Sequence, residues 1–254
     1  MQTNGLKKIA VVDSLKMPKI KAQLCINDIA YMDLFLGTQF DDFMQASPVL
    51  FEVDSLDATM LNQCLAQKSA IVLETTLSLP VLQKQLTSLL TVMHWKNGEV
   101  YLRWYSPSVM RSLYEQHALL LAQLPRIYVP NYALTQWDTL TFEQGNEWIL
   151  FPLDRHWDPI VEQCRLRYWL GVRKEWQAQI NLVESTAALL QKVAQSHELS
   201  QLQLVAWSTW LASQTQYLNH TQFIEICLQS VGLQEIQSQV KAWLESLSKE
   251  MNNV

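Results

Sequence analysis

The sequence predicts an α+β architecture: an N-terminal α/β lobe with a mixed sheet over residues 1–152, then an all-helical lobe over residues 153–254. Three observations predict it. Short runs rich in Val and Ile alternate with segments of helical period in the first part. The pair Asn97-Gly98 falls between two apolar runs and reads as a two-residue hairpin turn, which argues against a purely parallel sheet. All eight prolines lie at or before Pro159, and beyond it the pattern is helical nearly throughout.

The elements follow in order. "KIAVVDS" from Lys8, "SPVLFEVD" from Ser47 and "SAIVLET" from Ser69 read as buried strands. Between the last two, a helix carries Leu56, Met60, Cys64 and Leu65 on one stripe. A second helix follows Ser78, a candidate N-cap, with Leu82, Leu86, Leu89, Leu90 and Met93 on one side. Glu99 to Tyr105 reads as a strand bulky on both faces, hence covered on both sides. There Val100, Leu102 and Trp104 point one way, and Tyr101, Arg103 and Tyr105 the other. Ser106 caps the next helix and Pro107 fits its first position. That helix sets Val109, Leu113, His117, Leu120 and Leu124 on one stripe. "RIYVP" and "NEWILFPL" add strands.

The second lobe opens at Asp158-Pro159, read as N-cap and first helical residue. One helix carries Leu182, Ala187, Leu190 and Ala194 on a stripe, and the next carries Leu199, Leu202, Ala206, Trp210 and Ser213. Thr221 caps a further helix that Gly232 ends in a left-handed position. The last helix places Leu233, Ile236, Val240, Trp243, Leu244 and Leu247 on one face. Four or five helices in a bundle-like lobe result.

Composition bounds the function. The chain of 254 residues is 49% hydrophobic and 17% charged, with a net charge of −5. That is a globular composition. It lacks the basic face that binding nucleic acid needs. No stretch approaches the ~18 apolar residues that span a bilayer, so no membrane insertion is expected. The apolar run near Lys7 and Lys8 is too short for a signal peptide core, and the expected location is the cytoplasm. Cys25, Cys64, Cys164 and Cys227 have no metal-ligand spacing and read as small buried hydrophobes. No two of His94, His117, His156, His197 and His220 fall at ligand spacing. No metal or cofactor is expected.

The stretch "LRWYSPSVMRSL" resembles the signature of the type VI secretion effector-chaperone family, also called adaptor proteins. That signature has an arginine, two aromatics and an Asp-Pro step into a helix. "AVVDS" resembles the family's opening strand. "LFLGTQFDDFMQASPVLFEVD" resembles its Gly-Thr, short helix and strand, and "LPVLQKQLTSLLTVMHWKNGEVYLRWYSP" its helix and hairpin. The resemblance covers about residues 8 to 115. Ser106 stands where the family usually has Asp, and Ser47 and Val49 where it more often has Gly and Trp.

The resemblance implies a non-catalytic chaperone that binds a cognate type VI effector protein and delivers it to the VgrG spike. Arg103 and Tyr105 in the signature, with Trp207 and Trp210 in the helical lobe, are the partner-binding candidates, since aromatic and Arg side chains dominate interface hot spots. A buried Arg103 would need a carboxylate or carbonyl partner. Two other classes stay open. A small α/β enzyme, hydrolase or transferase, would use Asp13 or His94 at strand ends, although no Gly-rich phosphate loop and no G-x-S-x-G elbow occurs. An unrelated protein-binding scaffold would share every compositional feature. Asp41-Asp42 reads as a solvated face, because adjacent helical residues point apart.

Overall fold

The computed structural model describes residues 5–53, 58–122, 124, 126–143, 145, 147–229 and 232–252. The chain forms two compact units, Met1–Cys164 and Arg165–Val254. The class is α+β, as the sequence predicts: a sheet-bearing N-terminal part, then a helical one.

The first unit is built on a six-stranded sheet of order β2-β3-β1-β4-β8-β9. Its strands are β1 (Lys7–Val12), β2 (Tyr31–Asp33), β3 (Val49–Glu52), β4 (Ala70–Thr75), β8 (Arg126–Pro130) and β9 (Trp137–Leu140). Every ladder in it is antiparallel, where the sequence suggested a mixed sheet. β1 and β4 still read as continuous apolar runs because both sheet faces are covered. Ile9, Val11, Ile71, Leu73, Ile127 and Val129 pack on one face, in a core that includes residues of α3 (Leu79–Thr87) and α4 (Pro107–Glu115). Ala10, Val12, Phe51, Ala70 and Val72 pack on the other with α1 (Ile20–Ile26) and α2 (Ala58–Ala66). In α2 the predicted Met60, Cys64 and Leu65 are buried. Leu56 lies outside the described residues.

A separate two-stranded sheet joins β5 (Thr91–His94) and β6 (Gly98–Tyr101). Its turn is not the two-residue form. His94 pairs with Gly98, so Trp95, Lys96 and Asn97 form a three-residue loop. Gly98 alone takes the left-handed conformation, with φ 72°, which is the geometry such loops demand. Met93, expected on the helical stripe before it, is in β5 and 56% exposed. β7 (Leu119–Leu120) pairs with β10 (Ile149–Leu150).

The predicted helix through Leu124 ends early. α4 stops at Glu115, and His117 turns left-handed with φ 50°. Leu119 and Leu120 then extend as β7. Apolar spacing continued past the helix because β7 also buries Leu119. Ser106 occupies the N-cap position, but its hydroxyl makes no capping bond. It lies 3.3 Å from the Ser108 hydroxyl instead. Ser78 likewise makes no side-chain cap.

The second unit takes in the end of α5 (Trp157–Gly171), followed by α6 (Lys174–Gln177), α7 (Val183–His197), α8 (Gln201–Ala212), α9 (Thr221–Cys227) and α10 (Leu233–Asn252). α5 begins one residue before Asp158. Ser200 caps α8 through a complete capping box with Gln203, a signal the sequence reading passed over. Residue His220, not Thr221, is the N-cap of α9. Gly232 is outside the left-handed region, and its carbonyl accepts the Ile236 N–H at the start of α10. In α8 the buried stripe is Trp207, Ser208 and Leu211, while Leu202 is 84% exposed. Both faces of that helix carry apolar residues, so spacing alone did not select the inner one. In α10 the predicted Ile236, Val240 and Trp243 are buried.

Leu211→Ala should therefore cost about 2–5 kcal/mol and Leu202→Ala less than about 0.5 kcal/mol, read from urea unfolding of the whole chain. Equal losses would mean α8 is seated the other way round.

Candidate functional site

The signature arginine finds its partner at the far end of the family-like segment. β1 ends at Val12, and the Asp13 N–H donates to the Ser69 carbonyl at 2.7 Å, holding the chain beside the start of β4. The Asp13 carboxylate is buried, at 1% exposure. It accepts the Leu15 N–H at 3.1 Å and the Arg103 Nη2 at 2.5 Å. The Arg103 side chain is 43% exposed. Its buried half neutralises Asp13 and its outer half faces solvent.

The segment around Arg103 is no strand. The Leu102 N–H donates to Leu90, the Ser106 N–H donates to Arg103, and the chain turns at once into α4. Leu102, Trp104 and Tyr105 are all buried. β6 itself is only partly covered, so the expected two-sided burial belongs to the turn, not to a strand.

An aromatic wall stands beside the ion pair. The Tyr101 and Tyr105 hydroxyls are 2.7 Å apart. Phe40 packs 4.8 Å from the Tyr101 ring, and Phe35 5.4 Å from Phe40. Burial pushes the Tyr101 hydroxyl far up, and the bond to Tyr105 adds to it. Tyr105 is raised too, by burial, against the opposing bond from Tyr101 and the charge of Arg103. Burial works against the Arg103 charge, but Asp13 and Tyr105 outweigh it and raise its pKa. Lys16 is lowered by burial, with Asp13 opposing. Its Nζ donates to the Lys68 carbonyl at 2.8 Å. Ser47, fully buried, accepts the Phe35 N–H at 3.0 Å and takes the Ser14 hydroxyl on its carbonyl. Ser47 thus pins Phe35 in the wall.

The four partner-binding candidates divide. Arg103 reaches solvent. Tyr105 and Trp207 are each 2% exposed, Tyr105 in a core of the first unit and Trp207 in that of the second. Trp207 lines a cavity of about 620 Å³ with His197, Glu198 and Leu233. Trp210 is half-buried, with its ring edge-on to Trp207 at 5.5 Å and 5.8 Å from Phe223. Trp207 is buried on the inner stripe of α8, and Tyr105 in the turn before α4; large aromatic side chains of both kinds seat in the core.

The exposed apolar residues lie elsewhere, mostly in the first unit. Leu15, Leu36, Phe43, Met93 and Trp95 are each more than half exposed, and Phe151 is 40% exposed. Leu15 and Phe43 line an open groove of about 1010 Å³ with Pro18, Lys21 and Met44. Trp95 sits in the hairpin loop beside His94, and Phe151 lies near the same hairpin, since Leu153 bonds the Met93 carbonyl and accepts the Trp95 N–H. The sequence carried a signal for them. Leu15 follows a strand end and Trp95 sits in a hairpin loop, positions where polar residues are usual.

Several other titratable groups are engaged by local partners. His94, 7% exposed, lies 3.2 Å from Asp158, and its Nδ1 accepts the Lys96 N–H. Arg111 is buried against the Pro130 carbonyl and Asp138. Asp41 accepts the Gly37 N–H from an exposed position. The Cys64 thiol is pushed up to about 11 and the Cys227 thiol to about 12, both by burial. Cys25, expected to be buried, is exposed. Among the described residues no group of three His, Cys, Asp or Glu side chains is placed to hold a metal ion, and no helix is long and apolar enough to cross a membrane.

Arg103→Met should cost about 1–3 kcal/mol, less than a fully buried pair because half the guanidinium is solvated. Adding Asp13→Asn should restore part of the loss, since a neutral amide tolerates burial better than a lone carboxylate; strictly additive losses in urea unfolding would show the pair is uncoupled. The raised folded-state values of Tyr101, Tyr105, Cys64 and Cys227 contribute stability that is whole below the ordinary thiol value of 9.0. That stability drains as pH rises through the folded values. The thermal midpoint should fall above about pH 9, and Tyr101→Phe should soften the fall.

No curated protein matches this chain, and no solved structure does. Residues 10–119, from β1 to β7 and including both Asp13 and Arg103, match the model of a family described as a domain of unknown function (DUF4123).

Proposed function

We propose that this chain is a non-catalytic chaperone of a type VI secretion effector, which it holds in the cytoplasm and delivers to the VgrG spike. The observation that carries the reading is the set of exposed apolar side chains on the unit that also holds the family match: Leu15, Phe43, Met93, Trp95 and Phe151. Leu15 and Phe43 share one groove, and Met93 and Trp95 share one hairpin; neighbouring exposed apolar side chains of that kind mark binding sites. The resemblance of the Arg103 signature supplies the identity of the partner. The physical mechanism is exchange of greasy surface. The effector covers these side chains and hides its own aggregation-prone surface, and the spike offers a competing interface for release. Binding to the folded form stabilises both partners by mass action.

Arg103 contributes its solvated half to this face, and Tyr105 holds it from below. In the helical unit, Trp210 remains a contact candidate through its exposed part, and Trp207 supports it.

The test is co-expression with the product of the neighbouring effector gene. That product should be insoluble alone and soluble with this chain. Phe43→Ser with Trp95→Ser should leave the fold intact, because both side chains are more than half solvated, and should cut the soluble effector several-fold. An effector recovered equally with the double variant would sink the apolar-face mechanism. A turnover lost in Asp13→Asn or His94→Ala while binding persists would establish an enzyme instead.

A further inference from the structure

We propose that the sheet face between α2 and β9 holds a site for a small aromatic carboxylic acid. The ring lies over β9 and the carboxylate meets the Lys8 ammonium. The site is separate from the apolar side chains of the cargo reading and does not rest on it.

The register places the site. Residues directly opposite each other on neighbouring strands share a face of the sheet, and so do residues two apart on one strand. Lys8 lies opposite Glu74, and Ala10 opposite Val72. Val72 lies opposite Tyr128, and Tyr128 opposite Thr139. Lys8, Val72, Tyr128, Thr139 and Trp137 therefore all point to the side on which α1 and α2 pack. That cover thins toward β8 and β9. Ala10, Phe51, Ala70 and Val72 are buried there, whereas Tyr128 and Trp137 are half-buried and Thr139 is exposed. On the opposite face of the same two strands Ile127, Val129 and Leu140 are buried. The thin cover leaves a cavity of about 290 Å³ that crosses the strands, walled by Leu61 of α2, Val72, Tyr128, Trp137 and Thr139. Among the described residues Lys8 is the one charged side chain that lines it.

Charge and size then select the occupant. Lys8 reaches over β4 and sets its ammonium 4.9 Å from the Tyr128 ring centre, a placement the ring face favours. The nearby carboxylates are taken: Glu74 by Arg126 at 3.4 Å, and Glu52 by Lys7 at 2.7 Å. Among the described residues Lys8 has no carboxylate partner. One ammonium beside apolar walls matches one singly charged carboxylate. A phosphate, with nearly two charges, would be left under-neutralised on desolvation. Small-molecule sites run from about 300 to 1,000 Å³ and are mostly apolar with a few convergent polar groups; this cavity is at the small end. Its aromatic walls favour a ring. A ring over Trp137 and Thr139 on β9 and a carboxylate over Tyr128 on β8 stand about one strand spacing apart, ~5 Å. A two-carbon linker spans that distance.

The test titrates phenylpropionate into the full chain by calorimetry. Phenylpropionamide keeps the ring and loses the charge; acetate keeps the charge and loses the ring. The acid should bind at one site, and each control at least about tenfold more weakly. Acetyl-alanyl-phenylalanine carries the same ring and carboxylate on a peptide, and the small cavity should hold it at least about tenfold more weakly too. Lys8→Met should weaken the acid about tenfold and leave the amide unchanged. Thr139→Phe, at an exposed strand position that suits an aromatic residue, should fill the cavity and abolish binding of the acid. The Trp137 indole N–H resonance should shift as the acid saturates. Three results overturn the proposal: no binding of the acid, an amide that binds as tightly as the acid, or undiminished binding by Lys8→Met. Undiminished binding by Thr139→Phe places the acid elsewhere and overturns it as well. Equal binding of the peptide makes the occupant a polypeptide C-terminus and overturns the small-acid assignment.

Discussion

One ion pair ties the first unit together: Arg103, in the turn after β6, against the buried carboxylate of Asp13 at the end of β1. The two residues are 90 positions apart in the chain. A buried carboxylate is costly unless charge and hydrogen bonds meet it. Asp13 is met by both, the guanidinium on one oxygen and the Leu15 N–H on the other. The pair therefore fixes where the turn before α4 can lie relative to the central strand. That turn in turn seats Trp104 and Tyr105 in the core.

The same constraint shapes the surface. The Asp13 turn presents Leu15 outward, and the Tyr101–Tyr105 hydroxyl contact, beside the guanidinium, sets the wall on which Phe35 and Phe40 pack. A partly solvated arginine beside exposed aliphatic and aromatic side chains is the composition of an interface centre. The Arg103 charge is kept by its buried partner, which leaves an arginine desolvated on one side and solvated on the other.

The helical unit shows a different economy. Its aromatics, Trp176, Trp207, Phe223 and Trp243, are buried, and the Trp176 indole donates to the Ser208 hydroxyl at 3.0 Å inside the core. Their number reflects packing. The surface that could hold a partner is better supplied in the first unit, on hairpin and loop.

The sequence by itself determined the elements whose burial is two-sided or whose stripe is single. β1, β3, β4, the α2 stripe and α10 were legible because continuous apolar runs and one-sided periodicity each have one solution. The signature, with its arginine, aromatics and proline-led helix, was legible as a resemblance; the sequence asked for a carboxylate or carbonyl partner if Arg103 were buried, whereas it is Asp13 that is buried and Arg103 that is partly solvated. Tertiary structure alone decided the rest. Asp13 as that carboxylate is a contact between distant segments. The end of α4 at Glu115 and the inner face of α8 depended on which neighbour each apolar residue met. Exposure of Trp95 and Phe43, and burial of Tyr105 and Trp207, depended on where the sheets and helices closed, because hydrophobicity drives burial without direction and the fold chooses which greasy side chains find room inside.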